Sequence, residues 1–119
     1  SEIAGAYVAA DAILLPSDHG ETWGLVVNEA FACGLPAIVS NAVGCGPDLI
    51  DDGRTGFGFP LGDTAALAER MLCLARLAMT GHDFKSAVTA KIAGYSVDGT
   101  VQATIDAANY VRAKYHNCA

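Results

Sequence analysis

Two short apolar runs, each followed by a loop and a helix-spaced segment, mark this chain as an α/β domain with parallel strands. Ala12-Ile13-Leu14-Leu15, closed by Pro16, and Ala37-Ile38-Val39-Ser40 are continuous stretches of strand length, the pattern of strands covered on both faces. Between and after them, apolar side chains recur three and four positions apart, which is helical spacing. Strand, helix, strand, loop, strand and helices in that order imply parallel crossovers.

Taken in order, residues 1–10 read as the tail of a helix with Ile3, Ala6, Tyr7 and Ala10 on one stripe. The first strand follows, then a polar, glycine-containing segment, Ser17-Asp18-His19-Gly20-Glu21-Thr22. From about Trp23 to Cys33, Leu25, Val26, Ala30, Phe31 and Ala32 fit a helix. Gly34 stands where a left-handed stop is expected, with Pro36 just beyond. After the second strand, Asn41 to Asp48 is a glycine-rich loop, and Asp51-Asp52-Gly53-Arg54-Thr55-Gly56 reads as a tight, solvated turn with Arg54 beside the two aspartates. Phe57-Gly58-Phe59-Pro60 is a short strand suited to a sheet edge, because glycine and proline weaken a central position. Asp63 or Thr64 can cap a long helix in which Leu67, Met71, Leu74 and Ala78 share a face. Residues 83–93 suggest another helix. A last one runs from about Ser96 to Tyr115, with Val97, Val101, Ile105 and Ala108 along one side.

Composition bounds the answer further. The chain has 119 residues, 52% apolar and 17% charged, enough for one packed domain and unlike a disordered segment. No apolar run approaches the ~20 residues that span a bilayer. Ser1 to Ala10 lack a basic segment followed by an apolar block, which argues against a signal peptide, and Ser in place of an initial Met suggests a chain cut from something longer. The four cysteines, Cys33, Cys45, Cys73 and Cys118, form no C-x-x-C pair; their spacing points away from structural zinc and from a disulfide framework, and toward reduced thiols.

Charge is divided unevenly. Residues 1–69 hold ten carboxylates and one cation, Arg54, a balance of −9; residues 70–119 hold six cations and three carboxylates, a balance of +3. A net −6 disfavours nucleic acid and anionic membrane surfaces. An anion held by the first part must therefore meet backbone dipoles or cations from elsewhere. Three strands are also few for a doubly wound domain, so the chain looks like half of an open sheet.

Ligands of open α/β sheets sit beyond the carboxyl ends of the strands. The first loop runs into a helix there, so the free amides of about Trp23, Gly24 and Leu25 would face an anion. Gly24 has no side chain to obstruct a phosphate. Glu21 lies just before this cluster and Glu29 one and a half turns into the helix, leaning back toward the same mouth. A carboxylate accepts hydrogen bonds from paired sugar hydroxyls, so the arrangement suits a sugar–diphosphate–ribose. The residues alone leave other readings open. Both glutamates could simply favour a helix dipole, or form a glycosidase pair; Trp23 could be core packing or a sugar platform; His19 has no identified partner.

Residues 10–40, ADAILLPSDHGETWGLVVNEAFACGLPAIVS, resemble the retaining glycosyltransferases of family four, the group 1 family, with the GT-B fold. The marks are Glu21 and Glu29 separated by seven residues, the Ala30-Phe31-Ala32-Cys33-Gly34-Leu35-Pro36 helix end, and the later Gly44-Cys45-Gly46-Pro47-Asp48-Leu49-Ile50, Gly53-Arg54-Thr55-Gly56-Phe57 and Pro60-Leu61-Gly62-Asp63 segments. The similarity is clear over about residues 4–80. Trp23 departs from the family's usual phenylalanine and Asp48 from its commoner glutamate.

The resemblance implies a partial Rossmann-like fold, a three-layer half-sheet of parallel strands with flanking helices, belonging to the C-terminal domain of a GT-B enzyme. Residues 1–95 would be the C-terminal portion of the nucleotide-sugar-binding domain and residues 96–119 its terminal helix. It implies a hexosyltransferase-type enzyme that retains anomeric configuration, needs no metal or cofactor, and takes a nucleotide-diphosphate sugar as donor. Glu21 would position the donor sugar as the catalytic contact; Thr22, Trp23, Gly24 and Leu25 would meet the diphosphate and sugar; Glu29 would take the ribose hydroxyls. The carbohydrate or lipid-linked acceptor would bind a separate N-terminal domain, and this piece alone would be inactive. The expected location is cytoplasmic, including the inner membrane face. Two alternatives from other classes are a non-catalytic nucleotide-binding or interaction module and a sugar-nucleotide epimerase of the same fold.

Overall fold

In a computed structural model, which describes residues 2–116, nine elements follow in the order α1 (Glu2–Ala9), β1 (Ile13–Leu15), α2 (Leu25–Ala32), β2 (Ala37–Ser40), α3 (Gly46–Leu49), β3 (Gly56–Phe59), α4 (Thr64–Met79), α5 (Phe84–Ile92) and α6 (Val97–His116). Cys118 and the end of the 96–119 segment lie outside the described residues. The strands form one parallel sheet in the order β1-β2-β3, with Ile13 opposite Ala37 and Ala37 opposite Gly56. Parallel crossovers and the edge position of β3 are as the sequence predicts, and helices lie on both faces.

The pleat of β2 divides the core. All four of its residues are buried, and successive side chains of a strand point to opposite faces. Ala37 and Val39 join Val27 and Phe31 of α2, Val43, Cys45, Leu49, and Val88 of α5 on one face. Ile38 joins Phe57, Phe59 and Leu74 of α4, with Phe84, on the other. Between β2 and β3 the backbones approach so closely that a Cβ on Gly56 would lie 1.8 Å from the Ala37 carbonyl oxygen. Only glycine fits there.

Helix ends follow local chemistry. α2 stops as predicted: Gly34 takes φ 85°, its amide donates to the Phe31 carbonyl at 3.0 Å, and the Leu35 amide donates to the Ala30 carbonyl at 2.9 Å. Asp63, rather than Thr64, caps α4 by accepting from the Ala66 amide at 2.8 Å, and Asp83 caps α5 through the Ser86 amide at 3.0 Å.

Several expectations fail, mostly for one reason: a stripe of apolar residues does not state what will cover it. Leu14 of β1 is 41% exposed, because α4 lies over β2 and β3 and leaves this face of β1 open. On α4, Met71 is half exposed and Ala78 exposed, while Ala66, Cys73 and Leu77 join Leu67 and Leu74 inward; the buried face is turned from the predicted stripe toward β3. In α1, Ile3 and Ala6 are exposed, Tyr7 alone is half-buried, and Ala10 falls outside the helix. α6 forms where the sequence predicts a last helix, and every residue from Val97 to Tyr115 is exposed. The two aspartates do open a turn, with the Arg54 and Thr55 amides donating to the Asp51 carbonyl and Asp52 exposed, but both side chains are also engaged. Asp51 pairs with Lys91 of α5 at 3.2 Å, and Asp52 accepts from the Gly58 amide at 2.9 Å on β3. The cation at Asp51 is thus Lys91 and not Arg54. The buried Thr55 donates to the Leu49 carbonyl and accepts from the Asp51 amide, both at 2.8 Å.

Candidate functional site

The loops leaving the carboxyl ends of β1 and β2 meet. The Ser40 hydroxyl donates to the Ser17 carbonyl, fixing the end of β2 to the start of the first loop. In that loop Asp18 makes a tight turn, its side chain accepting from the Gly20 amide at 2.9 Å and its carbonyl from the Glu21 amide at 3.1 Å. Thr22 and Trp23 then run against Gly44 and Cys45. A Cβ on Gly44 would stand 1.9 Å from the Thr22 carbonyl oxygen, and the Cys45 amide donates to the Trp23 carbonyl at 2.8 Å. Gly44 and Cys45 form a turn, the Gly46 amide donating to the Val43 carbonyl at 3.1 Å, and that turn makes the close backbone contact with the other loop.

Helix α2 begins at Leu25, two residues later than predicted, and Gly24 precedes it with φ 95°. The reason for glycine differs from the expected one. A Cβ at Gly24 would point into the core, 2.9 Å from Val43 and 3.0 Å from Leu15, rather than toward an anion. Its left-handed backbone is nonetheless what aims the chain. Within a trans peptide the carbonyl and the next amide point in opposite directions, and the described bonds are all trans. With the Trp23 carbonyl turned to Cys45, the Gly24 amide points away from the second loop. With the Gly24 carbonyl accepting from Val27 at 2.9 Å, the Leu25 amide points out of the helix start. Leu25 and Val26, the first helical residues, lack intrahelical acceptors by position.

Beneath this start lies Cys45, fully buried, its thiol 4.0 Å from the Gly24 carbonyl. Burial pushes its pKa up to about 11, with the charges of Glu21 and Asp48 adding to the rise. The thiol stays neutral, and Glu21 lies close enough for its charge to be felt there.

Of the six predicted site residues, Glu21, Thr22, Trp23 and Gly24 occupy the loop between β1 and α2, Leu25 opens the helix, and Glu29 sits in its second turn. Glu21 is half-buried and Glu29 exposed. What the structure shows of the two carboxylates is separate: Glu21 stands by the stapled loops, and Glu29 accepts a hydrogen bond from the Tyr7 hydroxyl of α1 at 2.9 Å. The Trp23 side chain packs on the core, donates from Nε1 to Asn28 at 2.9 Å, and lies 6.2 Å from the Tyr95 ring. The Trp23 side chain is thus engaged in packing and in the hydrogen bond to Asn28. His19 is exposed. Tyr7, Asn28 and Tyr95 were not legible as neighbours of this region, since only tertiary contact brings them there. Among the described residues no three His, Cys, Asp or Glu side chains are grouped to hold a metal, and no helix is long and apolar enough to cross a membrane.

The family described as glycosyl transferases group 1 matches residues 1–76. The D-inositol 3-phosphate glycosyltransferase of Mycobacteroides abscessus is 35% identical over 113 residues, 95% of this chain and 25% of that protein. The sulfoquinovosyl transferase of Arabidopsis thaliana is 39% identical over 85 residues, 69% of this chain and 15% of its own length. Among solved structures, the sucrose-phosphate synthase of Thermosynechococcus elongatus superposes with a TM-score of 0.78 at 24% identity, over 95% of this chain and 28% of that one, and so shares its fold. The chain thus spans about a quarter or less of the length of these relatives.

Proposed function

This chain belongs to the family of group 1 glycosyl transferases, and from that premise we propose that it is the later part of the donor-binding domain of a retaining transferase. In this reading a longer protein moves a sugar from a nucleoside diphosphate to an acceptor hydroxyl. Residues 1–95 form part of the nucleotide-sugar domain and residues 96–119 its terminal helix, and the acceptor sits on a separate N-terminal domain.

The observation that carries the reading is the start of α2. Carbonyls of Trp23 and Gly24 are turned inward by Cys45 and Val27, leaving the amides of Gly24 and Leu25 directed outward. Outward amides at a helix N-terminus suit a diphosphate, and a helix end favours an anion by about 0.3–1 kcal/mol when exposed and about 2 when partly buried. Sugar transfer with departure of a diphosphate builds negative charge on the leaving oxygen and positive charge on the sugar ring. Fixed dipoles at the leaving group lower that barrier because they need no reorganisation during the reaction. Glu21, before the amides, accepts from hydroxyls of the donor sugar and holds its anomeric carbon toward the acceptor. Glu29 accepts from the ribose hydroxyls. Thr22 and Trp23 contribute backbone to the same mouth.

The first 69 residues carry a single cation, so in this reading the charge of the diphosphate is completed by basic groups from outside the chain. Transfer requires no metal here, since the dipoles and those cations do the electrostatic work. The 119-residue chain alone is therefore inactive in transfer.

Steady-state kinetics on the longer protein test the assignment. Glu29→Ala is expected to raise the donor KM by about tenfold or more with a smaller change in kcat, as loss of a hydrogen bond to a charged group in ground and transition states alike. Glu21→Ala is expected to lower kcat by about a hundredfold. Wild-type kinetics in both variants would sink the reading. Product formed without any added acceptor would replace it with an epimerase.

A further inference from the structure

We propose that Tyr7 is a positioning residue of the donor site, holding the Glu29 carboxylate through a hydrogen bond so that its remaining lone pairs meet the ribose hydroxyls. The inference rests on the reading that Glu29 binds ribose.

The contact joins elements 22 residues apart. The Tyr7 hydroxyl, on α1, donates to Oε2 of Glu29, on α2, at 2.9 Å. Glu29 is exposed and Tyr7 half-buried, so the tyrosine is the more enclosed of the two side chains. An exposed glutamate otherwise samples many rotamers, and freezing them on binding costs affinity. A tyrosine has two side-chain torsions, so the anchor itself loses little.

The chemistry of the donor also matters. A lysine or arginine at this place would neutralise the carboxylate, and an arginine would occupy both of its oxygens. A phenol takes one oxygen and leaves the group charged and accepting. Glu29 stands in a stretch whose single cation is Arg54, in the turn before β3. A neutral donor suits a site that must go on to receive neutral hydroxyls. The carboxylate acts on Tyr7 in turn: accepting from the hydroxyl, it raises the phenol above its ordinary value of 10.0, with slight desolvation and the charges of Glu29 and Cys33 adding to the rise. The phenol thus remains a donor throughout neutral pH.

A purely structural role is the competing account, because α1 exposes Ile3 and Val8 and Tyr7 could serve as its tether. The two accounts part in the kinetics. In the longer protein, Tyr7→Phe is expected to raise the donor KM, and the Kd of the bare nucleoside diphosphate, about threefold to tenfold. Its kcat should stay within about twofold of wild type. In a Glu29→Ala background, which leaves the hydroxyl no acceptor at that place, the same change should add nothing further. A fall in melting temperature with an unchanged donor KM overturns the proposal in favour of a tether. An effect of Glu29→Ala with none of Tyr7→Phe overturns it while leaving the ribose reading intact, whereas no effect of Glu29→Ala removes both. The contact is also readable in the 119-residue chain by ultraviolet titration of its four tyrosines. Glu29→Gln should lower the midpoint of one phenol, and an unchanged titration overturns the proposal at its geometric root.

Discussion

Helices α2 and α6 each carry an apolar stripe and meet opposite fates. In α2, Val27, Ala30 and Phe31 are wholly buried; in α6, Val97, Val101 and Ile105 are 80%, 52% and 47% exposed. The difference lies partly in the helices, since six of the eight residues of α2 are apolar against ten of the twenty of α6, and partly in what surrounds them. α2 is bounded by glycines that admit close neighbours at both ends and lies between β1, β2 and α5. α6, 20 residues and so about 30 Å long, extends a molecule whose longest dimension is 62 Å. Burial around α2 packs the helix of the candidate site into the core, whereas the stripe of α6 stays exposed in the described residues.

Substitution of one large side chain in each helix gives the largest contrast. Phe31→Ala deletes a side chain at zero exposure in the core shared by α2, β2 and α5. The expected cost is about 3–5 kcal/mol, enough to unfold much of the population of a marginally stable domain. Ile105→Ala is expected to change stability by no more than about 0.5 kcal/mol. Urea melts of the two variants decide the matter. Similar losses would mean that α6 is packed in solution and that the comparison is wrong.

A smaller effect tests the staple between the two loops. In Gly44→Ala the new Cβ meets a backbone oxygen at 1.9 Å rather than a flexible side chain, so one loop must move. The expected cost is about 1–3 kcal/mol, with loss of the Cys45 to Trp23 hydrogen bond and a disturbed α2 start. Amide exchange would show this as lost protection at Cys45 while α6 is unaffected. Gly53, which a Cβ would leave in open space though its φ is 77°, offers a control for strain without collision. If Gly44→Ala behaves like Gly53→Ala, the loops are not held by close approach.

How far the sequence revealed this arrangement depends on the range of the interaction. The left-handed stop at Gly34, the capping by Asp63, and the burial of β2 are set by residues within a few positions of one another, and all were legible. So was the parallel order of strands, which follows from short strands joined through helices. The Glu21 to Glu29 spacing places both carboxylates on one loop-helix unit. Spacing could not show that Tyr7, 22 residues earlier, would hold Glu29, or that Gly44 would press on Thr22. Nor could it show that Gly24 is glycine for the sake of Leu15 and Val43. The exposed Leu14, Met71 and α6 stripe mark the same boundary from the other side, since an apolar pattern specifies a face and leaves its partner unspecified.

Thiol reactivity gives the mildest test, beginning with the unsubstituted chain. Cys45 has zero exposure beneath the helix start, whereas Cys33 at the end of α2 and Cys73 on α4 are half-buried. A thiolate is the reactive form, and Cys45 is pushed up to about 11, first by burial and then by the Glu21 and Asp48 charges. Because the folded value is raised, the neutral thiol is the form the fold favours, and the protection is present at neutral pH and lost as the pH climbs toward that value. At pH 8 about one Cys45 in a thousand is ionised. Iodoacetamide at pH 8 should therefore mark Cys33 and Cys73 well before Cys45, as read by site-resolved mass spectrometry, and denaturant should abolish the difference. Glu21→Gln should quicken Cys45 slightly by removing one of the charges that oppose its ionisation. Cys45 labelling as fast as Cys33 in the folded chain would mean that the stretch from Thr22 to Gly46 opens readily, and that the site region is no more closed than α6.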